Sequence, residues 1–416
     1  ADVDGAAAFD GAVVDPLRDG EGNSRRSADG GIGGQEGGGG AGTGATAAPA
    51  VVYVPVMPIP RADLALRREV LVLFELCGVD PSLVTFIDDI DLPGLLAEGK
   101  LRLTLTDHNA VSGSLSGLGD AVVEIVDHHA DLGEHGNVQG LSRDIAFDSG
   151  GGNGKPLVGS CCTLVAERML IHAPWLLSSN VARLLLGVIL IDTVNLDTDA
   201  KRATPRDVAA AEELSRRVSW SSAKPAAEIK ISENSDSAPG ARTSDELSVD
   251  AKDPLASPDA LFDALRNAKF DPAFWKGLSA QDCLRYDYKQ FTPGSGGGTG
   301  SGTDSASDAN NVKTAAKPLE FGMSSMLCRA ESLADKRGAR EAVRDFALAR
   351  GIDSLVVMTV TLDGDDKMSK ELLVFADSEE RLREMEAFLE GPSGEDLRLR
   401  SVLEADRGEF MSKEGG

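Results

Sequence analysis

The sequence predicts an α/β protein with a mostly parallel sheet, followed by a second, smaller α/β unit. Short apolar runs typical of buried strands alternate with segments whose apolar residues recur at helical spacing. Alternation of this kind indicates βαβ units, in which the strands run parallel. The 416 residues, 42% of them hydrophobic, suffice for two or three domains with cores of their own.

The first half of the chain supplies the clearest alternation. The predicted strands cover residues 51–56, 84–87, 101–105 and 121–126. The predicted helices cover residues 62–77, ending at Gly78, then 160–171, capped by Ser160, and 180–192. We interpret residues 181–194 as a buried helix that runs into a strand, because this apolar stretch is too short to cross a membrane and contains Arg183 and Asp192.

The second half repeats the pattern on a smaller scale. Helices are predicted near residues 258–268, 279–286, 333–349 and 378–389, and strands at 319–323, 354–361 and 371–375. Gly-rich polar segments at about 17–49 and 292–317 are predicted to be flexible insertions, since they have few large apolar side chains to bury. We therefore predict a catalytic domain over residues 1–219, a linker over 220–255 and a substrate-binding domain over 256–416.

Composition excludes several classes of function. A formal net charge of −25 argues against general nucleic-acid binding, which needs a basic surface. No apolar run reaches 18 residues and no signal peptide is visible, so we expect no membrane partner. The five cysteines form no C-x-x-C pair, which favours a reducing compartment and a cytoplasmic location.

Aspartates and histidines cluster where predicted strands end. The cluster contains Asp2, Asp4, Asp107, His108, Asn109, Asp127, His128, His129 and Asp192. In an open α/β sheet, ligands bind beyond the carboxyl ends of the strands, so these side chains are expected to converge. Carboxylates and imidazoles suit Mg²⁺ and Mn²⁺, and two such ions about 3.5–4 Å apart can hold both oxygens of a phosphoryl displacement.

Each motif alone also has a structural interpretation. A D-x-D is common in loops, a D-H-N is often a turn, and paired histidines can be incidental. Asp192 is the stronger signal, because an unpaired carboxylate at the end of an apolar run is costly to bury. His135 and His172 lie in a predicted loop and at a helix end, and we interpret both as incidental.

Together these motifs resemble the DHH phosphoesterase superfamily. Segments 59–67, 86–92, 159–165 and 190–196, followed by 201–205, are similar to cytosolic exopolyphosphatases and prune proteins. Segments 285–291 and 321–326 resemble a DHHA2 domain. The resemblance covers nearly the whole chain apart from the insertions, and it implies an active site in the cleft between a DHH domain and a DHHA2 domain.

The resemblance also implies roles for individual residues. It places two divalent ions, Mn²⁺ or Mg²⁺, on Asp2, Asp4, Asp107, His128 and Asp192. Asp107 would bridge the two ions, and Asp127 and His108 would orient ligands from behind. His129 would face the substrate phosphate and act in catalysis with Asp107 and Asp127. Lys289 matches a substrate-binding position, and Lys201 and Arg202 are further candidates that are equally explained as solvated charges.

The implied reaction is release of terminal phosphate from inorganic polyphosphate. Alternatives are an inorganic pyrophosphatase or a cyclic-nucleotide phosphodiesterase using the same metals, or a prune-like regulatory protein with little catalysis. Two family features lack a clear match, namely a residue a few positions before the D-x-D and a basic C-terminal segment, for which Ser412-Lys413 is a poor counterpart. The expected partner is polyphosphate or another small phosphoanhydride, with protein partners left open.

Overall fold

The computed structural model describes residues 51–150, 154–221, 253–291, 320–362 and 368–391, together with the backbone of Gly11–Val13. Asp2 and Asp4, the two predicted Gly-rich insertions and most of the predicted linker lie outside the described residues. Within this part of the chain, no helix combines the length and apolar character needed to cross a bilayer.

The first sheet has six strands among the described residues, and most of its pairings are parallel. The strands are β1 (Gly11–Val13), β2 (Val56–Met57), β3 (Thr85–Phe86), β4 (Leu103–Thr106), β5 (Val122–Asp127) and β6 (Arg143–Ile145), in the order β3-β2-β1-β4-β5-β6. Only β1 runs antiparallel to its neighbours β2 and β4. The predicted strand at 51–56 is much shorter than expected, because Val51 and Val52 are exposed and unpaired with the sheet.

Short elements complete this half of the molecule. A small hairpin is formed by β7 (Phe147–Asp148) and β8 (Lys155–Pro156). The helices are α1 (Arg68–Cys77), α2 (Leu92–Ala97), α3 (Cys161–His172), α4 (Ser179–Asp192) and α5 (Pro205–Arg217). The predicted helix at 62–77 is divided into a 3₁₀ helix, Arg61–Leu66, and α1, which ends at the left-handed Gly78 as expected.

The predicted strand after α4 is wrong. Helix α4 continues to Asp192, and the next three residues after Thr193 have positive φ values of 52°, 57° and 60°. An extended strand requires negative φ, so the chain turns sharply instead of entering a sheet. Asp192 therefore lies at the end of a helix and not at the end of a strand.

Helix α6 (Pro258–Lys269) packs against the first half of the molecule. Its Leu261, Phe262 and Leu265 share a core with residues of α1, α4 and α5, including Leu73 and Leu186. The domain limits given above stay predictions.

The second sheet has four strands in the described residues. They are β9 (Asp287–Phe291), β10 (Phe321–Met326), β11 (Ser354–Leu362) and β12 (Met368–Ala376), in the order β12-β11-β10-β9. Only the β10–β11 pair is parallel. The helices around this sheet are α7 (Pro272–Gly277), α8 (Ala280–Arg285), α9 (Ala330–Ala334), α10 (Ala339–Arg350) and α11 (Glu379–Glu390).

Residues at the N-terminal end of α1 connect the two halves of the molecule. Leu66 belongs to the core that contains Trp275 and Leu355 of the second half. The Tyr286 hydroxyl donates to Glu69 Oε1 over 3.3 Å, and the Arg67 guanidinium lies 4.6 Å from the centre of the Tyr286 ring. The two motifs that begin near residues 59 and 285 of the sequence are therefore in direct contact.

Candidate metal centre

Asp107 lies immediately after β4, where the backbone adopts a left-handed conformation with φ of 70°. This conformation is uncommon for residues other than glycine and is typical of functional sites. Its amide donates to the Val126 carbonyl over 2.9 Å, which fixes the carboxylate beside the end of β5. The residue is 6% exposed, and its Oδ1 is a buried oxygen without a hydrogen-bond partner.

His128 follows β5 and faces this carboxylate. Its Nδ1 donates to the Val158 carbonyl over 2.9 Å, and its Nε2 lies 3.2 Å from Asp107 Oδ1. The Val158 contact places the proton of a neutral imidazole on Nδ1, so the Nε2 lone pair points at the carboxylate. Two electron-rich atoms this close require a cation between them.

In the metal-free protein, that cation is a proton. Burial alone would lower the pKa of His128, but the adjacent Asp107 carboxylate outweighs this effect and raises the pKa to about 9. A divalent ion can replace the proton, because two ligand atoms each about 2.1 Å from an octahedral ion lie roughly 3 Å apart. The observed separation of 3.2 Å fits that geometry.

Asp127, the last residue of β5, organises both histidines from the interior. It is fully buried, and its Oδ1 accepts the backbone amide of His128 at 2.7 Å and the Nδ1–H of His129 at 2.8 Å. Burial would raise the pKa of Asp127, but hydrogen bonds from His129 and Asn109 lower it overall. Asp127 therefore remains a carboxylate and holds the His129 ring in one orientation.

His129 is the exposed member of this group. Its side chain is 52% exposed, and its Nδ1 lies 4.0 Å from Asp107 Oδ1. The hydrogen bond to Asp127, together with its negative charge, raises the pKa of His129. Asp107, His128 and His129 offer ligand atoms that all lie within 4.8 Å of one another.

Asn109 belongs to the predicted cluster, but the sequence interpretation assigned it no role of its own. It is 3% exposed and donates to Asp127 Oδ2 over 2.6 Å and to the Ala130 carbonyl over 3.0 Å. Its own Oδ1 accepts the Leu132 amide over 2.9 Å. Asn109 thus uses both ends of its amide to fix the loop after the histidines, and its place in the D-H-N motif was the available signal.

Asp192 is held at the C-terminal end of α4. It is 8% exposed, Ser160 Oγ donates to its Oδ2 over 2.6 Å, and its Oδ1 is buried without a hydrogen-bond partner. Burial, reinforced by the charge of Asp107, raises the pKa of Asp192 to about 7. Ser160 was predicted only as a helix cap, and it performs that role while also orienting Asp192.

The described residues suit a divalent cation. Asp192 Oδ1 is buried without a hydrogen-bond partner, and Asp107 Oδ1 has only the His128 ring beside it, so a bound cation would compensate the burial of both oxygens. His128 adds a nitrogen that is oriented by a backbone carbonyl. Oxygen ligands with one imidazole fit Mn²⁺ or Mg²⁺.

The predicted substrate-binding cations lie on two different elements. Lys289 is exposed on β9, where it pairs with Met323 of β10. Lys201 is exposed with a positive φ of 55°, and Arg202 is half-buried in the same loop before α5. Their role in binding phosphate stays a prediction.

Comparison with known proteins agrees with this description. The family described as DHHA2 domain matches residues 263–408. The human protein named Exopolyphosphatase PRUNE1 is 29% identical over 324 residues, which cover 78% of this chain and 56% of that protein. A putative exopolyphosphatase of Schizosaccharomyces pombe is 26% identical over 371 residues, covering 86% of this chain and 77% of that protein.

A solved structure, titled a putative family II inorganic pyrophosphatase from Methanococcus jannaschii, resembles the chain with a TM-score of 0.46 and 18% sequence identity. The match covers 78% of this chain and 80% of the chain in that structure. This chain spans about half the length of the mammalian relatives that it matches. A mixed α/β fold with the D-H-H site and a C-terminal DHHA2 domain defines a protein of the DHH phosphoesterase type. Within that class, the chain is similar to the prune and exopolyphosphatase proteins, and its residues 263–408 match the DHHA2 domain.

Proposed function

We propose that this protein hydrolyses phosphoanhydride bonds with the aid of two divalent ions, Mn²⁺ or Mg²⁺, and that inorganic polyphosphate is its substrate. The observation that carries the proposal is the pairing of Asp107 Oδ1, a buried oxygen without a hydrogen-bond partner, with His128 Nε2 at 3.2 Å, a separation that suits a divalent ion in place of the His128 proton. The names of the relatives, exopolyphosphatases from mammals and yeast, support this class of reaction.

Five residues would hold the ions in this proposal. Asp107 would bridge them, and Asp2, Asp4, His128 and Asp192 would complete the ligands. When bound, such ions lower the pKa of a coordinated water and polarise a phosphoryl oxygen. Ser160 and the Val158 carbonyl would keep Asp192 and His128 in their binding orientations, because each makes a short hydrogen bond to one of them.

His129 is suited to meet the substrate. Asp127 accepts the hydrogen bond from Nδ1 of the His129 ring. This leaves Nε2, at the opposite edge of the half-exposed ring, for a contact with the substrate. The raised pKa of His129 favours a protonated ring, which can donate a charge-assisted hydrogen bond to a phosphate oxygen. Lys289, Lys201 and Arg202 would neutralise the remaining charge of the substrate.

A substrate panel tests the reaction class and the specificity together. Purified protein with Mn²⁺ or Mg²⁺ is offered long-chain polyphosphate, tripolyphosphate, pyrophosphate and cyclic AMP, and released phosphate or AMP is measured. We expect release of phosphate from polyphosphate. Faster turnover of pyrophosphate or cyclic AMP would mean that this compound, and not polyphosphate, is the substrate. No turnover of any compound would favour a regulatory protein with little catalysis.

Asp107→Ala tests the site itself. Metal ions contribute several kcal/mol of transition-state stabilisation, so loss of the bridging ligand should reduce kcat by about 10³-fold or more. Asp131→Ala is the matched control, because Asp131 belongs to the neighbouring loop and pairs with Arg143 on its outer side. Near-normal turnover by Asp107→Ala would refute the proposed site.

A further inference from the structure

We propose that Asp207 is a positioning residue of the metal centre, acting on His128 and Asp192 through the three-residue segment 158–160. Asp207 lies in the first turn of α5 and belongs to neither of the D-H-H and D-H-N motifs. The inference rests on the proposed function, since it takes His128 and Asp192 to be metal ligands. It adds a residue whose effect on the site passes through the backbone of another segment.

The segment 158–160 holds both proposed ligands at once. The Val158 carbonyl accepts the Nδ1–H of His128 over 2.9 Å, and Ser160 Oγ donates to Asp192 Oδ2 over 2.6 Å. Val158 and Ser160 are fully buried. A shift of this short segment by a fraction of an ångström would therefore disturb a histidine that follows β5 and an aspartate at the end of α4 together.

Gly159, between these two residues, is where the segment is anchored. Its amide donates to Asp207 Oδ2 over 2.8 Å. A β-carbon at this position would lie 2.4 Å from the Arg202 carbonyl oxygen and 2.8 Å from Thr193 Cγ2, which is closer than packed atoms approach. Asp207 thus holds the backbone of the segment against α5, and the Arg202 carbonyl leaves no room for a side chain at position 159.

Asp207 makes more contacts than a helix cap needs. In the capping box of α5, its Oδ2 accepts the amide and the hydroxyl of Thr204, each over 2.8 Å. The same carboxylate also accepts the Gly159 amide and, through Oδ1, the Thr163 hydroxyl at 2.6 Å. These two additional bonds connect α5 to the start of α3, where Ser160 orients Asp192.

Complete burial makes the arrangement rigid. Asp207 is 0% exposed, and four donors converge on its two oxygens. Hydrogen bonds to an ionised acceptor are stronger than those between neutral groups, and they are stronger still where water is excluded. A neutral amide at this position would offer one acceptor oxygen, and a weaker one, where the carboxylate offers two to these four donors.

The experiment compares Asp207→Asn with Ala211→Gly in the full chain. Ala211 is buried in the same helix, so Ala211→Gly weakens α5 without touching segment 158–160. Two readouts are used: Mn²⁺ affinity from electron paramagnetic resonance of the free ion, and the imidazole ¹⁵N resonances of His128 in metal-free protein. The second readout reports the Val158 hydrogen bond directly and does not depend on turnover.

We expect Asp207→Asn to weaken Mn²⁺ binding about tenfold and to remove the Nδ1–H signature of His128, while Ala211→Gly leaves both unchanged. Equal effects of the two variants would overturn the proposal, because Asp207 would then act only on helix stability. If Asp207→Asn does not fold, Gly159→Ala displaces the same segment, because its methyl group would collide with the Arg202 carbonyl oxygen. Normal Mn²⁺ affinity and a normal His128 signal in that variant would likewise overturn it.

Failure of the proposed metal-dependent function is distinguishable from failure of the Asp207 role. If wild-type protein does not bind Mn²⁺, or if His128→Asn binds it normally, the proposed metal site is wrong. The His128 resonances of the metal-free protein still decide whether Asp207 positions the ring. A normal Nδ1–H signal in Asp207→Asn then rejects the positioning role as well.

Discussion

The two sheets present their charged residues in opposite ways. At the ends of β4 and β5, Asp107 and Asp127 are 6% and 0% exposed, and hydrogen bonds or close contacts join them to His128 and His129. On β9 of the second sheet, Lys289 is exposed. The first arrangement suits ligands that must keep a fixed geometry, and the second suits a cation that meets a flexible polyanion.

This contrast has an energetic basis. Buried carboxylates are tolerated only where donors or cations compensate the loss of water, so the first sheet must hold its polar groups rigidly. An exposed lysine keeps its hydration and its rotamer freedom until a phosphate arrives. Substitutions near β5 should therefore change metal affinity, protein stability and kcat, whereas substitution of Lys289 should mainly change KM.

The largest expected effect is a pH dependence of the metal-free protein. The pKa of His128 is about 9 in the folded state and about 6.5 when unfolded. Its ionised form therefore stabilises the fold fully below pH 6.5, and this contribution is lost as pH rises through 9. We expect the free energy of unfolding by urea, measured with a chelator present, to fall by on the order of 3 kcal/mol across this range.

His128→Asn is the control for this effect. The variant has no ionisable group at the position, so its stability should lack this component of the pH dependence. Mn²⁺ affinity of the wild type should change in the opposite direction and increase with pH, because the ion must displace the proton from Nε2. The same fall in stability in His128→Asn would show that another group is responsible.

Asp127→Asn should lower metal affinity, because Asp127 orients the histidines of the site without being a proposed ligand itself. Asp127 Oδ1 accepts from His128 and His129 while Oδ2 accepts from Asn109, so an amide would bring two donors together in either orientation. A flip of the Asn109 side-chain amide would not compensate for this, because its Oδ1 already accepts a hydrogen bond from the Leu132 amide. Loss of such orienting partners reduces metal affinity or activity by about 10–100-fold.

Mn²⁺ titration of Asp127→Asn measures this loss. Asp131→Asn serves as the control, since Asp131 is four residues away and accepts from Gly133 and Arg143 on the outer side of the same loop. We expect the control to bind Mn²⁺ as tightly as the wild type. Comparable losses in both variants would mean that the loop as a whole, and not the Asp127 network, determines affinity.

Lys289→Ala tests the exposed side of the comparison. Because Lys289 is proposed to bind phosphate, its removal should raise KM for polyphosphate by about tenfold and leave Mn²⁺ affinity unchanged, since a charge-assisted hydrogen bond contributes about 1.5–3 kcal/mol. Lys370→Ala is a matched control, because Lys370 is exposed on β12, the opposite edge of the same sheet. A weakened Mn²⁺ affinity in Lys289→Ala would place the lysine within the metal centre.

The sequence predicted those parts of the site that depend on local pattern. Asp107 and Asp127 follow apolar strand runs, and the carboxyl ends of neighbouring parallel strands meet at one edge, so their proximity could be predicted before the structure. Ser160 was predicted from its capping position. The Asp2 and Asp4 predictions lie outside the described residues and stay predictions.

The rest depends on contacts between distant residues. The strand predicted after α4 is wrong because its apolar residues are equally consistent with a buried helix, and periodicity alone does not distinguish the two. Asp207 has the sequence signature of an ordinary helix cap, and its bond to Gly159 joins residues 48 positions apart. Only the packing of α5 beside the start of α3 reveals that second contact.

Tyr286→Phe probes the place where the two compared regions meet, and its effect should be the smallest. The Tyr286 hydroxyl donates to the buried Glu69, whose other oxygen has no hydrogen-bond partner. Phenylalanine keeps the ring under Arg67 but removes this donor, so we expect a loss of about 1 kcal/mol in the free energy of unfolding. Tyr288→Phe should cost less, because its hydroxyl contacts the exposed Gln290. If Tyr286→Phe also lowers Mn²⁺ affinity, the geometry of the metal centre depends on contacts with the second half of the molecule. The two sheets would then not act independently.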